Sequence, residues 1–215
     1  MRTLLEFINE SLNENDVRSE IEQFLNQYYT FDSVKISKNV NKDGMYELTA
    51  VGDVEVSDMR IKSLTNGTFV WKSVKGSFIC SFCTELTSLE GAPEIVDDVF
   101  SCENAINLKS LNGAPNKVGR DFICSGCKSL VDLKGAPKSV PNGMFLCDYC
   151  FSLKSLNGAP KTVGSDFRCN NCVSLKSLKD APKTVGEDFI CFDCGTTFIE
   201  EDVDKICNVG GFVSC

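Results

Sequence analysis

Histidine is missing altogether from the 215 residues of this chain. That removes the commonest general base, the Ser–His and Cys–His nucleophile pairs, and every His-ligated metal site. Long apolar runs are missing too: none approaches the roughly 18 residues needed to cross a bilayer, and the opening residues do not read as a signal peptide. Basic charge is in the minority, with Lys+Arg 22 against Asp+Glu 30 and a net charge of −8, which argues against a generic phosphate-binding surface. No phosphate loop, nucleophile elbow or metal-ligand helix occurs, so the sequence reads as non-enzymatic. Hydrophobic residues make up 42% and charged ones 24%, enough to bury a core and too apolar for a disordered tail. The length fits one ordinary domain, or one with a small appendage.

Cysteine, by contrast, is abundant at 13, and a repeat explains it. GSDFRCNNCVSLKSLKDAP (Gly164 to Pro182) aligns with GRDFICSGCKSLVDLKGAP (Gly119 to Pro137). The template is G-x-D-F-x-C-x-x-C-x-S-L-x-x-L-x-G-A-P-K-x-V. Phe78, Phe100, Phe122, Phe145, Phe167 and Phe189 follow one another at steps of 22, 22, 23, 22 and 22. Cys80, Cys102, Cys124, Cys147, Cys169 and Cys191 keep the same steps. The extra residue falls near Pro141-Asn142-Gly143, where a turn absorbs it. A unit this short cannot bury its own apolar face, so the period predicts a solenoid of about six stacked coils.

Phe and the first Cys of each unit are expected to point inward together from a short strand. The second Cys, as at Cys127 or Cys172, is expected at the corner, bonding to backbone carbonyls of the next coil. Leu pairs such as Leu130 and Leu133 turn inward, Ala-Pro tightens the return, and Val118, Val140, Val163 or Val185 closes it. The spacing C-x2-C-x19-C-x2-C of Cys124, Cys127, Cys147 and Cys150 also satisfies a zinc-ribbon pattern. The core-ladder reading is preferred, because free Cys behaves as a small buried hydrophobe and Ala105 replaces the second Cys in one coil. No metal ligands, cofactor or disulfides are therefore assigned.

Before the array, Val17, Ile21, Phe24, Leu25 and Tyr28 make the stripe of an amphipathic helix, with Asn13 or Asn15 as its cap. Ser33–Ser37 and Met45–Val51 read as a hairpin. Val54, Val56, Ile61 and Leu64 read as a degenerate first coil. Past Cys194, Thr197 with Glu200 suggests a capping box, Gly210-Gly211 a helix end, and Cys207 and Cys215 thiols outside the ladder. The expected organisation is 1–10 a candidate cleavable leader, 11–51 an N-terminal cap of helix plus hairpin, 52–194 the solenoid, and 195–215 a short helical C-terminal cap or tail. The fold class is an α+β solenoid with a parallel β face.

The residue between Phe and the first Cys must face outward. That column reads Ile79, Ser101, Ile123, Leu146, Arg168 and Ile190, and the two positions after the first Cys add Phe82, Tyr149 and Phe192. Six strands at roughly 4.8 Å make a strip about 25 Å long, a candidate protein-binding surface with Arg168 and Tyr149 as leading contacts. Covering of the same strip by a cap or by a second copy of the chain is the competing expectation.

The repeat unit resembles a leucine-rich repeat. It is most similar to the short BspA-like variety and to repeats of large tailed bacteriophages, where "L-x-S-L-x-G-A-P-K-x-V-G-x-D-F" recurs; the likeness covers roughly Gly52 to Cys194. In those phage repeats the outward strand positions are mostly polar. The opening MRTLLEFINE resembles the packaging leader of phage internal head proteins, which is cut after a Glu: here Glu10, or alternatively Glu14. These resemblances imply a phage protein carried inside the capsid, injected into the host bacterial cytoplasm, and binding a host defence factor to inhibit it. A structural head component without a host target, and a zinc-binding nucleic-acid module, are the alternative expectations. No membrane partner is expected, and nucleic acid is not favoured.

Overall fold

Strand alternation puts residues two apart on one side of the backbone. In the computed structural model, which describes residues 14–215, this is how each repeat is used. The six repeat Phe side chains are at 0% exposure and the Cys two residues on from each at 1% or less. The chain winds as a parallel β-solenoid of about seven turns with few helices.

Three long strands come first: β1 (Tyr29–Val40), β2 (Tyr46–Val56) and β3 (Phe69–Lys75). Pairs of two-residue strands follow, one pair per coil: β4 (Phe78–Ile79) and β5 (Ile95–Val96), β6 (Phe100–Ser101) and β7 (Lys117–Val118), β8 (Phe122–Ile123) and β9 (Ser139–Val140), β10 (Phe145–Leu146) and β11 (Thr162–Val163), β12 (Phe167–Arg168) and β13 (Thr184–Val185), β14 (Phe189–Ile190) and β15 (Asn208–Val209). The last strand, β16 (Val213–Ser214), starts a further turn. Even-numbered strands from β2 to β16 pair in parallel, with Phe opposite Phe in successive coils. The return side carries parallel ladders as well, β3-β5-β7 and β9-β11-β13-β15, so the coil has strand pairing on two sides where one was expected. The cause is local: Val96, Val118, Val140, Val163 and Val185 are buried beside an outward neighbour, the two-residue alternation of a strand.

The core is a set of columns. Phe rings stack along the axis with centroids 6.0, 5.2, 5.1, 5.7 and 5.1 Å apart. Burying each such ring is worth about 2–3 kcal/mol. Two glycine columns make the spacing possible. A Cβ at Gly119, Gly164 or Gly186 would strike the carbonyl oxygen of Asp97, Pro141 or Gly164 in the coil before. Gly91, Gly113, Gly135 and Gly158, in the G-A-P phrase, hold φ of 89 to 95°, where only Gly is unstrained.

From Cys127 onward the second Cys of each pair bonds backward, not forward as the sequence suggested, while Cys83 bonds within its own coil to Ser81 O. Cys127 Sγ donates to Cys102 O, Cys150 Sγ to Cys124 O, and Cys172 Sγ to Cys147 O, each at 3.2 Å. The direction follows from the strand ladder: the first-Cys N–H reaches the next coil, as in Cys102 N–H to Ile123 O at 2.9 Å. The ladder leaves Cys102 O and Cys124 O to the corner, where each accepts one turn N–H (from Ala105 at 3.2 Å and Cys127 at 3.4 Å) and the thiol of the following coil.

At the N-terminal end, α1 (Glu14–Tyr28) buries Val17, Ile21 and Leu25. Asn15 lies inside α1 and is not its cap; Asn13, together with Glu10 and the rest of the leader, lies outside the described residues. Arg18 ties α1 to β1 by donating to Ser37 O (2.6 Å) and Lys38 O (3.0 Å) while lying 4.8 Å over the Tyr46 ring. The hairpin is longer than expected. β1 pairs antiparallel with β2; the first half of β2 then pairs with β3 and its end with β4. Gly52, at φ 87°, lies between those halves. Val54 opposes Phe78, and Ile61 and Leu64 are buried, so the degenerate first coil is a real turn of the solenoid.

The segment after Cys194 departs from the expectation. Its helix, α2, covers only Glu200–Asp204, and the Ile199 N–H donates to Asp202 Oδ2 (3.2 Å), displacing the Thr197–Glu200 capping box. The rest returns to both ladders. Gly210-Gly211 joins β15 to β16, and Val213 stands opposite Phe189. Cys215 therefore extends the first Cys column rather than lying outside it. A step of 24 residues, with Val in the Phe place, hid this coil from the period.

Candidate functional site

The outward column of the strand face is in register from coil to coil: Ile79, Ser101, Ile123, Leu146, Arg168, Ile190. These side chains shield one another. Ser101 is buried, its Oγ 2.7 Å from Ser81 Oγ, and the other five are half-buried. The strip alone is thus a shallow apolar rib. Its prominence comes from the corner that follows.

That corner has one conformation in every coil. Phe82, Asn104, Gly126, Tyr149, Asn171 and Asp193 occupy the same place in successive units, and all six have φ between 54 and 71°. Gly, Asn and Asp adopt this left-handed region readily; an aromatic residue pays about 1–2 kcal/mol there. Phe82 is nevertheless 51% exposed and Tyr149 52% exposed, so burial within the chain recovers only part of that cost. Three coils separate them, roughly 14 Å along the axis. Phe192, one position earlier in its coil, is 40% exposed, and its N–H donates to Asn170 Oδ1 at 3.1 Å.

Beside the rib runs a polar ladder that sequence reading missed. Asp148 N–H donates to Ser125 Oγ (3.2 Å) and Asn170 N–H to Asp148 Oδ1 (2.8 Å), each side chain holding the amide of the next coil. Burial raises the Asp148 carboxyl above the usual aspartate range, against the pull of the Asn170 N–H and of Arg168, whose Nε is 3.4 Å from Asp148 Oδ2. A second ladder uses Asp53, Asp121, Asp166 and Asp188, whose Oδ1 atoms accept from Ser77, Met144, Asp188 and Phe212 N–H at 2.7 to 3.1 Å. These carboxylates are occupied with backbone. Phe151, Val131 and Val173, at 40, 44 and 56% exposure, extend the apolar surface around the corner, with Lys128 Nζ 5.7 Å from the Phe151 ring centre. The position after the second Cys was the signal for two of them.

Most of the buried first-column thiols are poor nucleophiles, whereas the pKa of the half-buried Cys194 is lowered by its hydrogen bond at Cys169. Burial pushes Cys80 and Cys147 well above their ordinary range and Cys83 up to about 12, so they stay protonated at neutral pH. Among the described residues no group of three or more His, Cys, Asp or Glu side chains is placed to hold a metal ion, and no helix is long and apolar enough to cross a membrane. An open cleft of about 530 Å³ between α1 and β1 is lined by residues that include Arg18, Glu22, Leu25 and Phe31. Comparison with family models, with curated proteins and with solved structures finds no match to this chain.

Proposed function

We propose that this chain is a non-catalytic binding protein that grips a partner protein through the strand face and its aromatic corner. The observation that carries the reading is the pair Phe82 and Tyr149: half-exposed aromatics held at left-handed backbone positions that other coils fill with Asn, Gly or Asp. Strain without compensating burial is a mark of a surface kept for contact. Exposed aromatic rings beside an apolar rib and an Arg have the composition of a protein-binding hot spot. Ile79, Ile123, Leu146 and Ile190 supply the rib, Arg168 its polar contact, and Phe192 its far end.

In this reading the units are leucine-rich-repeat-like coils, with α1 and the β1–β2 hairpin covering the N-terminal end and α2 lying at the other. The likeness of the repeat phrase to phage proteins, and of MRTLLEFINE to packaging leaders, supports a phage origin, cleavage after Glu10, and a host defence factor as the inhibited partner in the bacterial cytoplasm. Tagged chain incubated with host lysate retains one dominant protein, and the Phe82→Asn/Tyr149→Asn chain, equally folded, does not; equal retention by both removes the face from the function. Mass spectrometry of purified virions then finds a peptide beginning at Ser11, and intact Met1 there, or no peptide at all, removes packaging.

A further inference from the structure

Each first-column thiol from Cys80 to Cys191 is covered by the coil that follows it and is at most 1% exposed. Cys215 continues the same column, since β16 pairs in register with β14, but its thiol is exposed. Cys191 Sγ and Cys215 Sγ lie 2.9 Å apart, only about 1 Å beyond a covalent bond of roughly 2.0 Å. The backbone already fixes them: Phe189 N–H donates to Phe212 O at 3.0 Å and Cys191 N–H to Ser214 O at 2.8 Å. Cys191 and Cys215 each follow directly on the paired strands, and parallel coils roughly 4.8 Å apart place such residues within the separation that a disulfide needs. One thiol of the pair meets solvent and the other lies directly beneath it, the arrangement of an attacking and a resolving cysteine.

We propose that Cys191 and Cys215 form a disulfide on exposure to a small-molecule disulfide, stapling the last strand to the solenoid. With oxidised glutathione the steps balance as two exchanges. The Cys215 thiolate attacks one glutathione sulfur, the glutathione S–S bond breaks, and one glutathione leaves as thiolate. The Cys191 thiolate then attacks the Cys215 sulfur, the mixed disulfide breaks, and the second glutathione leaves. The two protons lost by the protein end on the two glutathiones; the protein gives up two electrons and the glutathione disulfide takes them. Burial raises both protein thiols above the ordinary range, so the reaction is slow at neutral pH and quickens as pH rises. The closed loop spans 24 residues and contains α2, which it holds against the stack.

The test incubates the full chain with oxidised glutathione, quenches with acid, alkylates in denaturant and maps the peptides. The expected product is a Cys191–Cys215 cross-linked peptide, an intact mass lighter by two hydrogens, and amide exchange slowed by roughly tenfold or more at Phe189 and Cys191, whose N–H groups donate to β16 and the residue before it. Cys215→Ser, at an exposed site, melts as the parent and gives no cross-link, whereas Cys194→Ser still gives it. Glutathione persisting on Cys215, a Cys194–Cys215 link, or all 13 cysteines remaining alkylatable overturns the proposal.

Discussion

Replacing Tyr149 by Asn separates strain from packing. Asn171 already holds the equivalent corner one coil later, at φ 56°, so the new residue meets a backbone it favours. Relief of the left-handed penalty is worth about 1 kcal/mol or slightly more. Against that stands the lost burial of the ring. Full burial of a side chain of this size contributes about 1.5–3 kcal/mol, and Tyr149 is 52% exposed, so about half of that is forfeited. The two terms nearly cancel, and the folded chain should keep its stability to within about 1 kcal/mol. Urea unfolding followed by circular dichroism measures this directly. Partner affinity should respond very differently: truncating an aromatic hot spot costs about 2 kcal/mol or more, roughly 30-fold in Kd. If Tyr149→Asn instead loses about 3 kcal/mol or more of stability, the ring is a packing element like Phe145 and the surface reading fails. If stability holds and partner affinity is also unchanged, the corner is not the contact.

Replacing Cys124 and Cys127 together by Ser puts shorter hydroxyls in a dry core and removes the 3.2 Å bond to Cys102 O; a loss of about 2–3 kcal/mol, or roughly 4–12 °C in Tm by calorimetry, is expected. Gly186→Ala forces a Cβ onto the Gly164 carbonyl of the preceding coil, and differential scanning calorimetry should show a lower Tm or two transitions where the stack splits. Asp148→Asn keeps the acceptor for Asn170 N–H but removes a buried charge. Because burial raises the Asp148 pKa in the fold, the native state binds the proton more tightly than the unfolded chain, and stability falls as pH rises from about the ordinary 3.8 through the raised value. The Asn variant should lack that decline and be the more stable chain at neutral pH; denaturant midpoints across the acidic range report it.

The inward positions were legible because burial restricts what they hold. Phe, Cys, Leu and Val recur at one period, and stacking is the one way such short units cover those groups. Three features were not legible, each for a physical reason. The sign of φ at Phe82 and Tyr149 belongs to the backbone, and an aromatic residue by itself gives no hint of it; the signal lay in the other members of the repeat column, Asn104, Gly126, Asn171 and Asp193, which favour the left-handed region. The direction of the thiol bonds depends on which carbonyls the strand ladder leaves over, which no spacing encodes. The final coil escaped because Val213 takes the Phe place after a longer step, so Gly210-Gly211 read as a helix end while it serves as the V-G corner of another turn. Of the candidate face, the sequence column predicted which residues point outward, but mutual shielding makes the aliphatic rib shallower than a fully solvated strip.

The parallel register sets Phe opposite Phe in every pair of successive coils from Phe78 to Phe189, so each of these rungs offers the same inward pairing above and below. Excision or duplication of one whole period would leave matching surfaces at the seam, so lineages of this molecule can lengthen or shorten by entire steps while a fractional change jams the register. A reach matched to the size of a binding target is thereby open to selection without redesign of the interior.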